Sequence, residues 1–316
     1  MKRPGLLILC VLCLAIQLIL PGPGRAEEGA GYLVFAHKEH DFFDSIMRMA
    51  IDDPAGPRLI TRIEGMNLWS PRINPEGTRL AFLDWVWGLI YLFNLEDGAT
   101  ELLDNPVGAR SLEWSGDGRS IYFWGEDYRF YSFSLEDRTT TTLFNGATFW
   151  TWFNDGGFQV WTELDQATGQ ARDYLLAGYS GSGLYGKSNL HQLPVGPEEP
   201  QATELFTGLG DNYLPRRSRE GRLIFQADDD RLGSHRCWLL TDQDQAQPLT
   251  GLYSGSPVWT GSGNAFVYVG SDSSNLGAAA YSGQIFVHDL ETGTSRPQLA
   301  TGQGATPFFF QPPSGP

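Results

Sequence analysis

Short segments of alternating hydrophobic and polar residues, separated by turn residues, recur along most of the chain. The stretch SPRINPEGTRLAFL, from Ser70 to Leu83, contains two such segments joined by Pro75-Glu76-Gly77. Apolar side chains at every second position are typical of β-strands with one buried face, and glycine permits the positive φ of a tight turn. The stretch therefore predicts two antiparallel strands joined as a hairpin.

This two-strand unit recurs at a spacing near 40 residues. Each copy has a short apolar or aromatic segment, a turn closed by glycine, and a second apolar segment. The closing glycines are Gly77, Gly118, Gly157, Gly221 and Gly263, and the strands after them begin at Leu80, Ile121, Phe158, Leu223 and Ala265. The glycine spacings are 41, 39, 64 and 42 residues. A period near 40 with alternating hydrophobicity predicts the blades of a β-propeller.

A second predicted hairpin completes each unit. It turns at Glu96-Asp97-Gly98 in one unit, near Asp137 in the next, and at Glu291-Thr292-Gly293 in the last. Acidic residues and glycine are favoured where a turn needs a permissive backbone. Each unit is therefore predicted to hold four antiparallel strands, which we name A to D in chain order.

The two ends of the repeat array predict how the ring closes. The segment Tyr32 to Phe35 fits a strand B, and Met47 to Ile60 supplies strands C and D, but no strand A stands before them. Near the other end, Ala305 to Phe310 fits a strand A, and Pro312 to Gly315 resembles its turn. The prediction is an all-β, six-bladed β-propeller closed by the C-terminal strand, because closure leaves no exposed sheet edge. An array with two open ends is the alternative.

The first residues have the order of a secretory signal peptide. Lys2-Arg3 precedes the apolar run Leu6 to Leu20, and small residues lead to a predicted cleavage after Ala26. This predicts a signal peptide over 1–26, a mature single propeller domain over 27–316, and a periplasmic or secreted location. A retained membrane anchor is the alternative, although the run is short for a span.

Export changes both the charge and the cysteine count. The whole chain has a net charge of −15, and loss of three leader bases leaves 19 basic against 37 acidic residues, or −18. So acidic a protein is a poor partner for nucleic acid or anionic lipid. Cys10 and Cys13 leave with the leader, so no internal disulfide is expected, and Cys237 is predicted to be a small buried apolar residue.

The long spacing between Gly157 and Gly221 makes blade 4 ambiguous. We expect strand C at 188–195, because Leu190 to Leu193 parallels Val287 to Leu290 in blade 6. The extra residues, 165–187, then fall in the B–C loop. The alternative places strand C at Tyr174 to Leu176 and sends the insertion to the opposite end of the blade.

Two turns carry a family resemblance. Trp114-Ser115-Gly116-Asp117-Gly118-Arg119 and Asn74-Pro75-Glu76-Gly77-Thr78-Arg79 resemble the aromatic-Ser-Pro-Asp-Gly-basic string of the WD40-like repeat in TolB-type propellers. The resemblance covers nearly the whole mature sequence and implies a six-bladed propeller without the α/β domain that precedes the propeller in TolB. TolB itself works with a peptidoglycan-associated lipoprotein and other envelope proteins, so the resemblance implies a partner of that kind. Similar repeats occur in peptidase and lyase propellers, so the resemblance leaves the function open.

Two loops contain residues that could bind a metal. His37, His40 and Asp41 lie in the first B–C loop, and the run Asp228 to Asp230 lies near His235 in the fifth. Propeller lyases and lactonases hold divalent ions with such side chains, which makes a metal-dependent lyase or hydrolase of a carbohydrate or lactone the alternative function. Because histidines in acidic loops are usually solvated, we predict no metal, no cofactor and no catalytic residue.

Loop lengths point to a binding face instead. The A–B and C–D connections are short, whereas the D–A and B–C connections are longer and richer in aromatic residues. Aromatic and arginine side chains carry most binding energy at protein interfaces. The predicted partner-binding residues are Phe42, Phe43, Trp69, Trp85, Trp87, Arg110, Tyr128, Phe149, Tyr179, Tyr185, Tyr213 and Tyr281. The predicted function is a monomeric scaffold that binds a protein or peptide in the cell envelope, and a structural subunit of an envelope assembly is a further alternative.

Overall fold

The computed structural model describes most of the chain between residues 31 and 312. The described residues are 31–38, 43–145, 157–164, 169–179, 189–196, 202–209, 212–229, 234–242, 245–251, 254–270, 283–299 and 304–312. Within them all regular structure is β, in six sheets of four antiparallel strands. The predicted six-bladed propeller is confirmed.

The first three blades follow the predicted order. Blade 1 combines β24 (Gly304–Phe310), β1 (Tyr32–His37), β2 (Ser45–Ala50) and β3 (Arg58–Arg62). Blade 2 contains β4 (Leu68–Ile73), β5 (Arg79–Asp84), β6 (Leu89–Asn94) and β7 (Thr100–Leu102). Blade 3 contains β8 (Ala109–Trp114), β9 (Ser120–Gly125), β10 (Arg129–Ser134) and β11 (Thr139–Asn145).

The other three blades also have four strands each. Blade 4 contains β12 (Phe158–Leu164), β13 (Ala171–Tyr179), β14 (Asn189–Pro194) and β15 (Thr203–Phe206). Blade 5 contains β16 (Asn212–Arg217), β17 (Leu223–Asp229), β18 (Ser234–Asp242) and β19 (Gln245–Pro248). Blade 6 contains β20 (Ser254–Trp259), β21 (Ala265–Gly270), β22 (Gln284–Asp289) and β23 (Thr294–Pro297). Strand A of every blade contacts strand A of the next, so the six A strands form a closed inner ring.

Ring closure occurs as the sequence predicts. β24 pairs antiparallel with β1, and Phe310, Phe308 and Gly304 lie opposite Tyr32, Val34 and His37 respectively. Phe310 is buried among residues of blades 1 and 2. The C-terminal strand therefore supplies the missing strand A of the blade that the N-terminal strands begin.

Phenylalanines in the second strand of five blades pack between the sheets. Phe35, Phe82, Phe123, Phe225 and Phe266 lie in strand B of blades 1, 2, 3, 5 and 6, and each is 0% exposed. Each buried ring of this size contributes about 2–3 kcal/mol through the hydrophobic effect. The alternating apolar side chains that predicted the strands are therefore the ones that pack between neighbouring sheets.

Four A strands share a bulge before a proline. Ser70, Leu214, Ser256 and Thr306 have φ of 48°, 51°, 52° and 46°, and each precedes proline in the chain. The pairing register shifts at these points; in blade 2 the shift lies between Trp69 and Arg72. A bulge accommodates proline, which has no N–H for the ladder, and it re-aims the residues that follow.

Most predicted A–B turns are confirmed, but the turn assigned to blade 4 is wrong. Gly77, Gly118, Gly221 and Gly263 have φ of 77°, 69°, 87° and 65°, and each lies between strands A and B of its blade. Residues 155–157 instead precede the first strand of blade 4. Gly169, with φ of 68°, lies in the true A–B connection, residues 165–170.

This error moves one strand of blade 4. Phe158 to Val160 was predicted as strand B and is part of β12, which is strand A. The Gln159 Oε1 atom accepts a 2.6 Å bond from the Arg217 nitrogen of β16, as expected for neighbouring inner strands. The prediction of strand C at 188–195 is confirmed by β14, and the alternative at Tyr174 to Leu176 is wrong because those residues lie in strand B. Only 180–188, not 165–187, connects strands B and C.

Cys237 is buried, as predicted. It is 0% exposed, and burial raises the pKa of its thiol to about 12. A thiol with so high a pKa is unreactive at neutral pH. No helix within the described residues is long and apolar enough to cross a bilayer.

Candidate functional site

The propeller has two ends with different connections. We call the end formed by the D–A and B–C connections the B–C rim, and the opposite end, formed by the A–B and C–D turns, the A–B rim. Antiparallel strands alternate in direction, so each set of connections lies at one end of every blade. The predicted binding residues belong to the B–C rim.

An aromatic row crosses the B–C rim from blade 1 to blade 3. The ring centroids of Phe43 and Trp69 are 5.5 Å apart, and so are those of Trp69 and Trp85. The Arg110 guanidinium lies 5.7 Å from the Trp85 ring and forms a 2.9 Å ion pair with Glu126. We call Phe43, Trp69, Trp85 and Arg110 the aromatic row. The structure therefore brings together four of the predicted residues from three blades.

Exposure divides the predicted aromatic residues into two groups. Trp69 is buried, and Phe43 and Trp85 are half-buried, so these rings mainly pack the blades together. Trp87 is 70% exposed and Tyr128 is 50% exposed, and Val86 beside Trp87 is 54% exposed. We call Val86, Trp87 and Tyr128 the exposed patch. It lies on the B–C turns of blades 2 and 3, where a partner can reach it.

The turn that carries Trp87 is fixed by hydrogen bonds. The Asp84 carboxylate accepts a 3.0 Å bond from the Val86 nitrogen, and the Asp84 carbonyl accepts a 2.8 Å bond from Gly88. Gly88 has φ of 64°, and a Cβ there would lie 2.6 Å from the Ala109 nitrogen. Only glycine fits here, because the backbone at position 88 has a positive φ and lies against the backbone of blade 3. Trp87 is therefore presented on a turn tied to the neighbouring blade.

Asn67 and Asn105 link adjacent blades at the same rim. The Asn67 side-chain oxygen accepts a 3.2 Å bond from the Phe43 nitrogen, and its carbonyl accepts a 2.7 Å bond from Trp85. The Asn105 side chain donates to the carbonyls of Gly88 and Val107 at 3.2 and 2.7 Å. Sequence analysis missed both residues, because an asparagine in a connection is equally typical of a solvated turn.

The remaining predicted residues are not described in full. Phe42, Phe149, Tyr185 and Tyr281 lie outside the described residues. Tyr179 ends β13 at the B–C rim, and Tyr213 lies near the start of β16, but only their backbone is described. Their membership of the binding face stays a prediction.

The A–B rim, predicted to be plain, contains a cavity of about 450 Å³ at the end of the inner ring. Residues of strand A or the following turn line it in all six blades. The described lining includes Trp114, Trp161, Trp259, Phe308 and Phe309, with Glu113, Arg216, Arg217 and Arg219 as its charged members. One signal of this site is present in the sequence, namely the Pro-Arg pairs at 71–72 and 215–216, where charge interrupts an inner strand.

A buried ion cluster lies beside this cavity. Arg72 Nε is 2.7 Å from Glu113 Oε1, and an Arg216 guanidinium nitrogen is 3.8 Å from the same oxygen. Arg216 also donates to the Phe158 carbonyl at 2.9 Å. Burial lowers the pKa of Arg216 to about 10, and Glu113 opposes that shift. The carboxylate of Glu113 therefore partly neutralises the positive charge of two arginines, which come from blades 2 and 5.

Two tryptophans tie the same inner strands together. The indole of Trp114 donates to the Arg72 carbonyl at 2.9 Å, and the indole of Trp259 donates to the Arg216 carbonyl at 2.8 Å. Each bond joins strand A of one blade to strand A of the next. The repetition of this contact fixes the walls of the cavity.

The proposed metal-binding residues are only partly described. The His37 ring lies 6.4 Å from the Phe35 ring, and His235 is half-buried opposite Asp228 in the strand pairing. His40 and Asp41 lie outside the described residues, as do the side chains of Asp228 to Asp230. Among the side chains that are described, no three His, Cys, Asp or Glu residues are grouped to hold a metal.

A chelator tests the prediction that no metal is bound. We expect EDTA to leave the Tm of the purified protein unchanged, because only removal of a bound ion lowers stability by linkage. Differential scanning calorimetry with and without EDTA measures this. A lowered Tm that one divalent ion restores, and that His40→Ala abolishes, would support the metal-dependent lyase or hydrolase instead.

Comparisons with known proteins give the fold alone. No family model and no curated protein sequence matches the chain. Among solved structures, TolB from Acinetobacter baumannii is similar, with a TM-score of 0.63 at 14% identity over 88% of this chain and 66% of that one. A structure of a nidogen/laminin complex has a TM-score of 0.62 at 11% identity, over 89% of this chain and 99% of that one. A protein assigned as TolB from Agrobacterium tumefaciens has a TM-score of 0.58 at 15% identity, over 90% of this chain and 98% of that one. The chain has the fold of a TolB-like propeller and spans about two thirds of the length of the A. baumannii protein.

Proposed function

We propose that this TolB-like propeller is a scaffold that binds a protein or peptide in the cell envelope, and that the B–C rim of blades 2 and 3 is its binding surface. The observation that carries the proposal is the exposed patch, which places Trp87 and Tyr128 on turns next to the aromatic row. Tryptophan and tyrosine bury a large area for little conformational entropy, and they are enriched among residues that dominate binding.

The rigidity of the rim supports the same proposal. Hydrogen bonds of Asn67, Asp84 and Asn105 hold the turns before any partner arrives. Because the turns are already ordered, binding costs less conformational entropy than it would if the turns were loose. Arg110 adds a cation beside Trp85, with Glu126 as its neutralising partner.

The sequence and the comparisons support a location outside the cytoplasm and a protein partner. A signal peptide over 1–26 would deliver a propeller of net charge −18 to the periplasm or the exterior, where it works as a monomer with neither nucleic acid nor membrane as partner. Two similar structures are TolB proteins, and a third is a complex of nidogen with laminin. Propellers of this shape are thus present in a protein–protein complex.

Alanine variants of the exposed patch test the proposal. We expect Trp87→Ala combined with Tyr128→Ala to weaken partner capture by one to two orders of magnitude, about 1.4–2.8 kcal/mol, since both side chains are half exposed or more. The Tm should change little, because surface substitutions cost about 0.5 kcal/mol or less. Capture from an envelope extract of the source organism, quantified against wild type, measures the effect.

Matched variants on the A–B rim provide the control. Glu96→Ala and Glu291→Ala lie in C–D turns, where both side chains are exposed, and they should leave capture unchanged. If these variants abolish capture while the double variant retains it, the binding face is the A–B rim. Trp85→Ala is less informative, because that ring packs on Trp69 and its loss would lower stability as well.

A further inference from the structure

We propose that the cavity at the A–B rim is a second binding site, which takes a small organic anion with a carboxylate beside an aromatic or apolar ring. Its volume of about 450 Å³ falls within the range of small-molecule sites, about 300–1,000 Å³. It lies at the opposite end of the propeller from the exposed patch, so this inference is independent of the proposed scaffold function.

The charge of the cavity wall points to an anion. Its described lining holds three arginines, Arg216, Arg217 and Arg219, against one glutamate, Glu113, and includes no lysine, histidine or aspartate. The chain as a whole has a net charge of −15. A cationic recess in an acidic protein attracts small anions and repels small cations.

The arginines are held in place before any ligand binds. Arg216 is buried, and one guanidinium nitrogen donates to the carbonyls of Phe158 and Pro215 at 2.9 and 3.0 Å. Although burial lowers the pKa of Arg216 to about 10, the group stays protonated at neutral pH. A fixed guanidinium loses little entropy when it receives a carboxylate.

Arg217 lies on β16, and residues of the neighbouring inner strand, β12, hold its side chain in place. Its guanidinium lies 5.5 Å from the Trp161 ring, and one nitrogen is 3.1 Å from Glu163 Oε1. The Trp161 indole donates to the same glutamate at 2.8 Å. Blades 4 and 5 together therefore contribute a positioned cation and an aromatic ring to one wall.

Aromatic side chains form much of the remaining lining. Trp114, Trp259, Phe308 and Phe309 come from blades 3, 6 and 1. The indole N–H groups of both tryptophans are already bonded to strand carbonyls, so these rings offer the ligand apolar surface. A ligand that combines a carboxylate with a ring matches both parts of the lining, whereas inorganic phosphate matches only the cations.

Fluorine NMR with a matched pair of probes tests this site. The purified protein is titrated with 4-fluorophenylacetate and with 4-fluorophenylacetamide, which differ in charge but hardly in shape. We expect the acetate resonance to broaden and shift on binding, and the amide to bind at least tenfold more weakly. Equal responses to the two probes, or none to the acetate at millimolar concentration, would overturn the proposal.

Variants locate the binding to the cavity. Arg217→Gln should weaken 4-fluorophenylacetate binding about tenfold. Arg219 also lines the cavity but lies at an exposed turn position, so Arg219→Gln should weaken binding without affecting the fold. Arg119→Gln is the control, since it makes the same charge change in the A–B turn of blade 3 but does not line the cavity. If Arg119→Gln weakens binding as much as Arg219→Gln, the probe senses only the overall charge and the site is refuted.

Discussion

Deletion of residues 304–316 should leave a protein that melts far below the full-length chain or aggregates. The deletion removes β24, so β1 keeps β2 but loses its neighbour on the inner side, and it exposes a row of unpaired backbone groups there. It also removes Phe310 from the core between blades 1 and 2, and it removes the Thr306 hydroxyl that accepts a 3.2 Å bond from the Ser70 nitrogen.

The size of this effect follows from the buried ring alone. Replacing a buried phenylalanine by alanine costs about 3–5 kcal/mol, and the deletion removes a strand in addition. Natural domains are stable by only about 5–15 kcal/mol, so much of the total is lost. We expect Tm to fall by about 10 °C or more, measured by circular dichroism or calorimetry.

A shorter deletion separates closure from mere truncation. Removal of residues 313–316 leaves β24 and its pairing to β1 intact, and it should leave Tm within a few degrees of the full-length value. If the 304–316 deletion melts at the same temperature as the full-length protein, the ring is not held closed by its C-terminal strand.

Glu113→Gln is expected to be the most damaging single substitution among the charged residues of the inner ring. Glu113 lies 2.7 Å from Arg72 and 3.8 Å from Arg216, and the Arg72 side chain is only 3% exposed. Removing one partner from a buried ion pair costs about 3–5 kcal/mol, because the remaining charge has no compensation. Here two guanidinium groups would remain, and the pKa of Arg216, already lowered by burial, would fall further.

Urea unfolding of the variant measures this cost. Glu113→Gln should lower the free energy of unfolding by about 3 kcal/mol or more. Glu101→Gln is the matched control, since Glu101 pairs with Arg138 at the exposed edge and such pairs contribute about 1 kcal/mol or less. Equal costs for the two substitutions would mean that the inner ion cluster is solvated rather than buried.

The blade count and the closure could be predicted because both depend on local patterns. Alternating side chains place one face of each strand in the core, and glycine marks turns that need positive φ, as at Gly77 and Gly118. The C-terminal strand was identifiable because a strand A was missing at one end and an extra one stood at the other. These signals require no knowledge of distant contacts.

Blade 4 shows the limit of turn chemistry. Asp155-Gly156-Gly157 has the composition of an A–B turn, but a turn residue specifies a backbone conformation and not which strands it joins. The actual connection, with Gly169, has a weaker turn pattern in Asp165 to Gln170. The position of β12 beside β16, where Gln159 accepts a hydrogen bond from the Arg217 backbone nitrogen, identifies β12 as an inner strand.

The sites were predictable to different degrees. The exposure of Trp87 and Tyr128 could be predicted from their residue type and loop position, whereas the burial of Trp69 depends on Phe43 and Trp85 in neighbouring turns. The cavity at the A–B rim was missed, because Arg72, Glu113 and Arg216 appear as surface charges until three blades meet. The Pro-Arg pairs mark charge in an inner strand, but they do not show which residue neutralises it, because Glu113 lies 41 residues from Arg72.

Photo-crosslinking from each rim tests the binding surface most directly. A benzophenone side chain is introduced in place of Trp87 at the B–C rim, and separately in place of Glu291 at the A–B rim, and each protein is irradiated in an envelope extract. Because the exposed patch is proposed to contact the partner, position 87 should give a discrete protein adduct that excess unlabelled wild type suppresses, and position 291 should not. An adduct from position 291 with none from position 87 would contradict a binding surface on the B–C rim.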